Sequence, residues 1–339
     1  MHAITATLQG GSKSPAIGLG SYRSIKAHHN VHSLRHSRSF MDPSNSALHH
    51  SALRQGDVLE AAVPVLHVEA TLNNNMYGDP LRFLGRPEAR WSPREQATFA
   101  GIKRLTDRMP LRRRRTMFQK ALAPYSVTGV SAGAADLVHQ VTLERCADQQ
   151  AVRVDGQSDI VTAGLPYVGP YNVNSIMNPV LVMCLGLGYF FNLYQGKPLV
   201  RQGGVCIFTH PVEREFHPVH HPSYIDFYEE VLAETTDPVE LERRFERAYA
   251  EDEWYRHLYR TSYAYHGVHP FYMWYWGAHA LEHVGDVVMV GGDPEACRRL
   301  GFRSASSMPD ALAMAEQTVG RHPSITHLRC PPLLYAQVT

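Results

Sequence analysis

Histidine is the residue type that this sequence carries in excess and that could do chemistry. The 339 residues include 20 histidines, which concentrate at four places: His28–His32, His49–His50, His210–His221 and His266–His283. The imidazole is the commonest metal ligand in proteins and the usual general base near neutral pH. A single histidine, however, is more often a polar surface residue or a hydrogen-bonded core residue. The clusters therefore predict a metal or acid–base site, with packing as the alternative.

Two of these clusters have a more specific interpretation. His210–His221 could furnish a zinc site, although no H-E-x-x-H pattern or Cys/His spacing supports one. His279 and His283 stand four residues apart, which places them on one face of a helix, where they suit a site or packing equally well. A His-rich zinc hydrolase therefore stays open as one functional alternative.

The glycines exclude the common nucleotide-binding loops. A G-x-x-x-x-G-K-[ST] loop ending at Lys13 requires glycines where the sequence has Thr7 and Ser12. Gly18 and Gly20 do not begin a dinucleotide fingerprint, because Arg23 stands where the third glycine belongs.

Charge and cysteine content narrow the class of protein. Lys and Arg number 33 and Asp and Glu 32, so no overall field attracts nucleic acid or an anionic membrane. The five cysteines form no C-x-x-C pair, which is typical of reduced thiols. The N-terminus lacks the pattern of a signal peptide. We expect a cytoplasmic protein that binds neither nucleic acid nor a membrane.

The second half of the chain alternates strand-like and helix-like segments. Apolar strand candidates lie at Ser158–Pro166, Gly203–Pro211, Gly285–Gly292 and Ser324–Pro332, and the uncharged segment Asn178–Tyr194 has the length of a buried helix. This alternation is typical of an α/β fold with a doubly wound, mostly parallel sheet. Such sheets bind ligands at the carboxyl ends of their strands.

The first half of the chain is less regular. A helix running into a strand is predicted over Gly56–Leu72, and Ser92 begins a helix with Pro next and Glu three residues on. We predict a partial N-terminal, cofactor-binding domain over residues 1–137, with an insertion at about 85–125. A C-terminal α/β domain is predicted over residues 138–339, with the active site in the cleft between the two domains.

The segment GGSKSPAIGLGSYRSIKAHHN (Gly10–Asn30) resembles a motif of the nickel-pincer lactate racemases and their relatives. In that motif a glycine pair precedes a lysine, a Pro/Gly turn follows, and the stretch ends in a histidine. Lys13 and His29 lie 16 positions apart, as in the family. Shorter likenesses follow in order at SALRQGDVLEAAVPVLHVEATLNN, SDIVTAGLPYVGPYNVN, GGVCIFTHP, and WGAHALEHVGDVVMVGG through LGFRSASSMPDAL. The resemblance covers most of the chain and is strongest at Gly10–His29.

The resemblance implies a nickel-pincer nucleotide as cofactor. In the family the motif lysine bonds covalently to this nucleotide and the histidine ligates the nickel. These positions are Lys13 and His29 here, and Gly10 and Gly11 are the cofactor-binding glycines. A pincer with two sulfur donors and one carbon leaves a fourth position of tetragonal nickel(II) for an imidazole.

The resemblance also implies the reaction, a racemisation or epimerisation of a small 2-hydroxy acid. Hydride leaves C2 for the cofactor while a histidine takes the hydroxyl proton, and return of hydride to the opposite face inverts the centre. His2 and His210 are the candidate acid–base residues. Asn172 and Asn174 are the candidate substrate-binding residues.

Departures from the family pattern define the alternatives. Family members carry a long stretch before the glycine pair, with much of the nucleotide-binding surface and one acid–base histidine, whereas this sequence begins almost at the motif. His2 is one residue out of register, and Met177 stands where lactate-specific members have Gln. We expect a partner or a longer gene product to supply the missing segment. A non-catalytic racemase-like fragment or binding module is the first alternative to the enzyme.

Overall fold

A computed structural model describes residues 47–72, 78–85, 91–120, 126–166, 176–328 and 335–339. The chain divides into two compact units, one of Val63–Ala151 and the other of Met1–Ala62 with Val152–Thr339. The predicted domain boundary between residues 137 and 138 falls inside a helix of the unit Val63–Ala151. The sequence-based domain division stays a prediction.

The elements of the first half of the chain are short and mostly helical. In chain order they are α1 (Ala47–Ala62), β1 (His67–Leu72), a 3-10 helix (Arg82–Gly85), α2 (Pro93–Asp107), α3 (Leu111–Lys120), β2 (Val127–Gly133) and α4 (Ala135–Gln150).

The second half of the chain holds the larger sheet and most helices, three of which contain a π-helical stretch. The first elements are β3 (Ala151–Val154), β4 (Ser158–Gly164), α5 (Pro179–Met183, continued by a π-helix over Cys184–Phe190), β5 (Tyr194–Gly196) and β6 (Val200–Thr209). Next come α6 (Pro222–Asp226, a π-helix over Phe227–Val231, then Leu232–Glu234), α7 (Pro238–Leu241, a π-helix over Glu242–Glu246, then Arg247–Glu251), α8 (Glu253–Thr261) and α9 (His269–Leu281). The last are β7 (Asp286–Val290), α10 (Pro294–Arg299), β8 (Arg303–Ala305), α11 (Met308–Val319), β9 (Ile325–Leu328) and β10 (Tyr335–Val338).

In the unit Val63–Ala151, β1 and β2 pair antiparallel and α4 packs on one face of the pair. The covered face is polar, and it carries Glu69, which lies 3.2 Å from the Nδ1 atom of His139 on α4. The opposite face exposes apolar side chains, including Val68 and Val130, each 61% exposed. Burial in this unit is therefore sparse.

The N-terminus of α2 forms as its sequence predicts. The Ser92 hydroxyl accepts a hydrogen bond from the Glu95 backbone N–H, and the Glu95 carboxylate accepts one from the Ser92 backbone N–H. This reciprocal capping satisfies two backbone donors that a helix start leaves without intrahelical partners.

The centre of the other unit is a five-stranded parallel sheet with the strand order β8-β7-β6-β4-β9. Every pairing is parallel, because helices cross over between consecutive strands. The predicted α/β fold class with a doubly wound parallel sheet is confirmed. A separate three-stranded sheet has the order β3-β10-β5.

Both faces of the five-stranded sheet are buried, as its near-continuous apolar strands require. Along β6, Val205 and Ile207 point to the face covered by α11, and Cys206 and Phe208 point to the face covered by α5 and α9. Alternate residues of a strand point to opposite faces, so one apolar run fills two cores.

Helix α5 is buried between the sheet and α9, as its uncharged sequence predicts. A Cβ on Gly186 would lie 3.1 Å from the Phe208 ring of β6, and a Cβ on Gly188 would lie 2.7 Å from Trp276 of α9. A Cβ on Gly277 of α9 would likewise lie 2.7 Å from the sulfur atom of Met183 in α5. Glycine is therefore needed at this crossing for the two helices to pack closely. Among the described helices, none is both long and apolar enough to cross a membrane.

Candidate functional site

Ligand sites of doubly wound sheets lie beyond the carboxyl ends of the strands, where the strand order reverses. Here the order reverses at β4, because β6 lies on one side of it and the last strand of the sheet, β9, on the other. The chain after β4 contains residues 167–175, which lie outside the described residues, and residues 329–334 after β9 do as well. The described side of this edge is formed by the ends of β6 and β7 and by the helix starts nearby.

His210 is the first residue after β6 and is buried. Its Nδ1 atom accepts a hydrogen bond from the Val212 backbone N–H at 2.9 Å. Val212 has a φ of 47°, a left-handed conformation that is rare for a β-branched residue. The loop is held to the end of β7, because the Asp293 N–H donates to the Pro211 carbonyl at 2.8 Å. A strained, well-anchored turn of this kind is typical of functional sites.

Helices α6 and α9 begin on the same side of the sheet. Helix α6 follows β6, and α9 ends near the start of β6, where the Gly203 N–H donates to the His283 carbonyl at 2.8 Å. At the other end of α9, the Tyr224 hydroxyl of α6 lies 2.6 Å from the Nδ1 atom of His269. The two helix starts therefore meet beyond the carboxyl ends of the strands.

A group of aromatic side chains that we term the histidine–tyrosine cluster occupies this place. Its members are His217, His220, His221, Tyr224, Tyr265 and His269. The Tyr265 ring is stacked between two imidazoles, with centroid distances of 5.6 Å to His221 and 4.4 Å to His269. At the outer side of the cluster, His217 and His220 stack at 3.9 Å.

Hydrogen bonds determine which ring nitrogen of His221 carries the proton. Its Nδ1 atom accepts from the His217 backbone N–H at 3.1 Å, and the Asn178 side-chain amide lies 3.2 Å away with its N–H₂ group toward the same atom. An Nδ1 atom that accepts two donors carries no proton, so the proton of the neutral ring is on Nε2. Asn178 also caps α5, because its Oδ1 atom accepts from the Leu181 N–H at 3.0 Å.

Three imidazoles of the cluster, those of His220, His221 and His269, have a lowered pKa and are neutral at pH 7. Burial, with smaller contributions from the neighbouring histidines, lowers the pKa of His221 to about 3. Burial likewise lowers the pKa of His269 to about 3, with a smaller contribution from His266. The pKa of His220 is lowered by burial and by His217. At neutral pH these three histidines therefore present neutral imidazoles, and the tyrosines present O–H groups.

The Tyr265 hydroxyl differs from the other polar atoms of the cluster. Its Oη atom is buried and finds no hydrogen-bond partner among the described residues. Burial raises the pKa of this phenol to about 12, so the hydroxyl keeps its proton at neutral pH. The Tyr224 hydroxyl, in contrast, is bonded to His269. The cluster therefore contains one buried donor that nothing in the described chain uses.

Most of the residues singled out from the sequence lie outside the described residues. These are His2, Gly10, Gly11, Lys13, His29, Asn172 and Asn174. Of the predicted site residues only His210 is described, so their assembly into one site, including the role of His210, stays a prediction.

The structure adds residues that the sequence interpretation did not select. Tyr224 and Tyr265 were not candidates, and Asn178 was considered only as the start of a helix. An Asn-Pro pair at a helix start does signal the capping role of Asn178. Each tyrosine stands three or four residues from a histidine that it contacts, His221 for Tyr224 and His269 for Tyr265, and this spacing is the local signal. The Tyr224–His269 hydrogen bond has no local signal, because the two residues are 45 positions apart.

The described residues do not form the zinc site considered for His210–His221. In the parts of the chain that the structure describes, no group of three or more His, Cys, Asp or Glu side chains is arranged to hold a metal ion. His279 and His283 take the packing role that their spacing allowed. The His279 Nε2 atom lies 3.1 Å from the Asn192 Oδ1 atom, and the His283 Nε2–H donates to the Val200 carbonyl at 2.8 Å.

The chain matches several solved structures, and the two described here are similar to it only at a low level. No protein-family model matches this chain, and no curated protein matches it. The lactate racemase apoprotein of Thermoanaerobacterium thermosaccharolyticum aligns over 62% of this chain and 43% of its own length, with 16% identity and a TM-score of 0.40. A structural-genomics protein of Thermotoga maritima aligns over 65% and 46%, with 11% identity and a TM-score of 0.34. The chain thus spans less than half the length of either protein, and these values assign it no activity.

Proposed function

We propose that this chain is a racemase or epimerase of a small 2-hydroxy acid, which uses a nickel-pincer nucleotide as its cofactor. The observation that carries the proposal is the glycine–lysine–histidine segment Gly10–His29, which resembles the cofactor motif of the lactate racemase family. The ordered likenesses further along the sequence support it. The histidine–tyrosine cluster supports it from the chemistry of the described residues.

The histidine–tyrosine cluster suits an anionic substrate with a hydroxyl group. A 2-hydroxy acid offers a carboxylate, which needs hydrogen-bond donors, and neutral imidazole N–H and phenol O–H groups are such donors. Helix starts add partial positive charge at the same place, since α6 and α9 both begin there.

His210 would hold a substrate oxygen in its described conformation. Because its Nδ1 atom accepts from the Val212 N–H, the proton of the neutral ring is on Nε2, which therefore donates. For His210 to take a proton as a general base, the Val212 contact has to break first. The acid–base role predicted for His210 accordingly requires a movement of the turn after β6.

The cofactor would supply the hydride acceptor for C2 of the substrate. The residues expected to hold the cofactor, Lys13 and His29, lie outside the described residues. The strand order supports the substrate-binding assignment of Asn172 and Asn174, because they follow β4, where the sheet reverses.

The proposal is tested with protein co-expressed with the cofactor-synthesis enzymes. Mass spectrometry of the Lys13 peptide should show the added nucleotide, and D- and L-2-hydroxy acids should interconvert in deuterated buffer with the C2 hydrogen retained. Deuterium at C2 would instead indicate carbanion chemistry and contradict the proposal. Lys13→Ala protein is the control, which should neither gain mass nor interconvert the acids.

The same experiment separates the enzyme from the alternative of a binding module. A fully modified Lys13 with no turnover of any acid in the panel would favour the module. An unmodified Lys13 alongside bound nickel would contradict the assignment of the cofactor residues.

A further inference from the structure

Burial of the Tyr265 hydroxyl in the conformation that the structure shows costs free energy. A buried donor without a hydrogen-bond partner loses its hydration and gains nothing in return. Most buried polar atoms in folded proteins are satisfied, so such an atom calls for an explanation. The Tyr265 Oη atom is buried, and no residue described in the structure accepts its proton.

The surroundings hold the Tyr265 ring in place. The ring is stacked between His221 and His269, with interplanar angles of 21° and 20°. The Tyr265 backbone N–H donates to the His220 carbonyl at 2.9 Å, which ties the loop before α9 to the segment before α6. Two imidazole rings and one backbone hydrogen bond thus hold the phenol in place, while its hydroxyl has no hydrogen-bond partner among the described residues.

The neighbouring hydroxyl shows that the cluster can satisfy a phenol. The Tyr224 Oη atom, near the start of α6, lies 2.6 Å from the His269 Nδ1 atom. Because two tyrosines of one cluster differ in this way, the unused hydroxyl is a property of the position of Tyr265 and not of the cluster's chemistry.

We propose that Tyr265 is a ligand-binding residue whose hydroxyl donates a hydrogen bond to a carboxylate oxygen of the bound 2-hydroxy acid. The preference for an anion follows from the helix starts of α6 and α9 and from the neutral rings on both sides of the phenol. The identity of the acid rests on the proposed function. The binding role of the hydroxyl rests on the geometry of the cluster alone.

The proposal predicts an unusual pair of effects for Tyr265→Phe. The ligand-free variant should melt at the same temperature as the parent protein or higher, because the substitution removes an unsatisfied donor and keeps the ring. Its affinity for ¹³C-labelled lactate and glycolate, followed by NMR titration of the full chain, should fall about 10-fold to 100-fold, as for loss of a hydrogen bond to a charged group.

Two control variants separate binding from folding. Tyr224→Phe removes a hydroxyl that is bonded to His269 and should lower the melting temperature. His283→Leu removes a bond at the far end of α9 and should lower the melting temperature while leaving the affinity for both acids unchanged. Inorganic phosphate and acetate in the same titration establish whether the 2-hydroxyl group adds to the carboxylate.

The outcomes distinguish this proposal from the proposed function. Unchanged affinity in Tyr265→Phe, or no binding of any carboxylate by the parent protein, would overturn the role of Tyr265. A lower melting temperature for ligand-free Tyr265→Phe would show that the hydroxyl already has a structural partner and would overturn it as well. The protein could also load the cofactor, racemise no acid, and still bind carboxylates more weakly after Tyr265→Phe. That result would support the binding role of Tyr265 and contradict the proposed racemase activity.

Discussion

The two ends of α9 carry histidines that serve opposite purposes. At the C-terminal end, His279 and His283 bond to the Asn192 side chain and to the Val200 carbonyl, and both rings meet Phe191 edge-on. At the N-terminal end, His269 bonds to a tyrosine hydroxyl and stacks on a second tyrosine. The residue type is the same, and all three side chains are buried.

The difference lies in the partners. A backbone carbonyl or an amide does not titrate near neutral pH, so the bonds of the C-terminal histidines join the helix to the fold through partners whose charge does not change. At the N-terminal end the partners are themselves imidazoles and phenols, so a proton or a bound anion there alters the neighbouring groups. Chemistry is therefore expected at the start of α9 and stability at its end.

The largest effect is expected where α9 packs on α5. Leu185→Asp places a carboxylate in the buried π-helix of α5, where Leu185 is only 7% exposed, and an unpaired buried charge costs about 3–5 kcal/mol. The free energy of unfolding from urea titration measures this loss. Leu105→Asp is the matched control, because Leu105 is 62% exposed and its substitution should cost less than about 1 kcal/mol. Equal stabilities of the two variants would show that α5 is not part of the core.

Acidification should weaken the N-terminal end of α9 next. His221 and His269 have pKa values of about 3 when folded and near the usual 6.5 when unfolded, so the unfolded chain binds protons first as the pH falls. Their contribution to stability is complete above pH 6.5, decreases below it, and stops decreasing near pH 3. Between pH 7 and pH 5 each should remove about 2 kcal/mol from the free energy of unfolding.

This pH dependence can be assigned by substitution. His269→Gln should make the decrease between pH 7 and pH 5 smaller by about 2 kcal/mol, measured by denaturant titration at each pH. His257→Gln changes an exposed histidine of α8 and should leave the decrease as it is in the parent protein. A decrease that is unaffected by His269→Gln would mean that acid sensitivity arises elsewhere.

An intermediate effect is expected at the C-terminal end of α9. His283→Leu removes the shorter of two side-chain hydrogen bonds to the Val200 carbonyl, the other coming from Gln157 at 3.3 Å, and should cost about 0.5–1.5 kcal/mol of unfolding free energy. The loss should be the same at pH 7 and pH 8, because the partner does not titrate. A change in lactate affinity in this variant would contradict the division of roles between the two ends.

The smallest effect is expected for an exposed hydrogen bond at the C-terminal end of α9. The Gln202 side-chain N–H donates to the Glu282 carbonyl at 3.1 Å in an exposed position. Water can replace this donor, so Gln202→Ala should change the free energy of unfolding by no more than about 0.5 kcal/mol. A larger loss would show that exposed bonds as well as His283 hold the end of α9.

Local pattern was sufficient for the fold class and for the central strands of the sheet. The apolar runs around Ser158–Gly164, Val200–Thr209 and Asp286–Val290 form parallel strands, because alternate residues of each run can be buried on two faces. The cap at Ser92 could also be predicted, since all its partners lie within four residues. Breaks between successive helices are less visible in the local pattern, as where α7 ends at Glu251 and the Asp252 side chain caps α8 by accepting from the Tyr255 N–H.

The roles of individual histidines were decided only by the tertiary structure. The sequence placed His279 and His283 on one helix face and left their purpose open, because their partners, Asn192 and Val200, are 87 and 83 residues away. The stacking of Tyr265 on His221 likewise joins two segments that are distant in the sequence. Hydrophobic periodicity determines which face of an element is buried, whereas the partner of a buried polar group depends on which distant element crosses it. The sequence by itself therefore determined where this protein has strands, helices and histidines, and the folded chain decided which histidines stabilise it and which can meet a ligand.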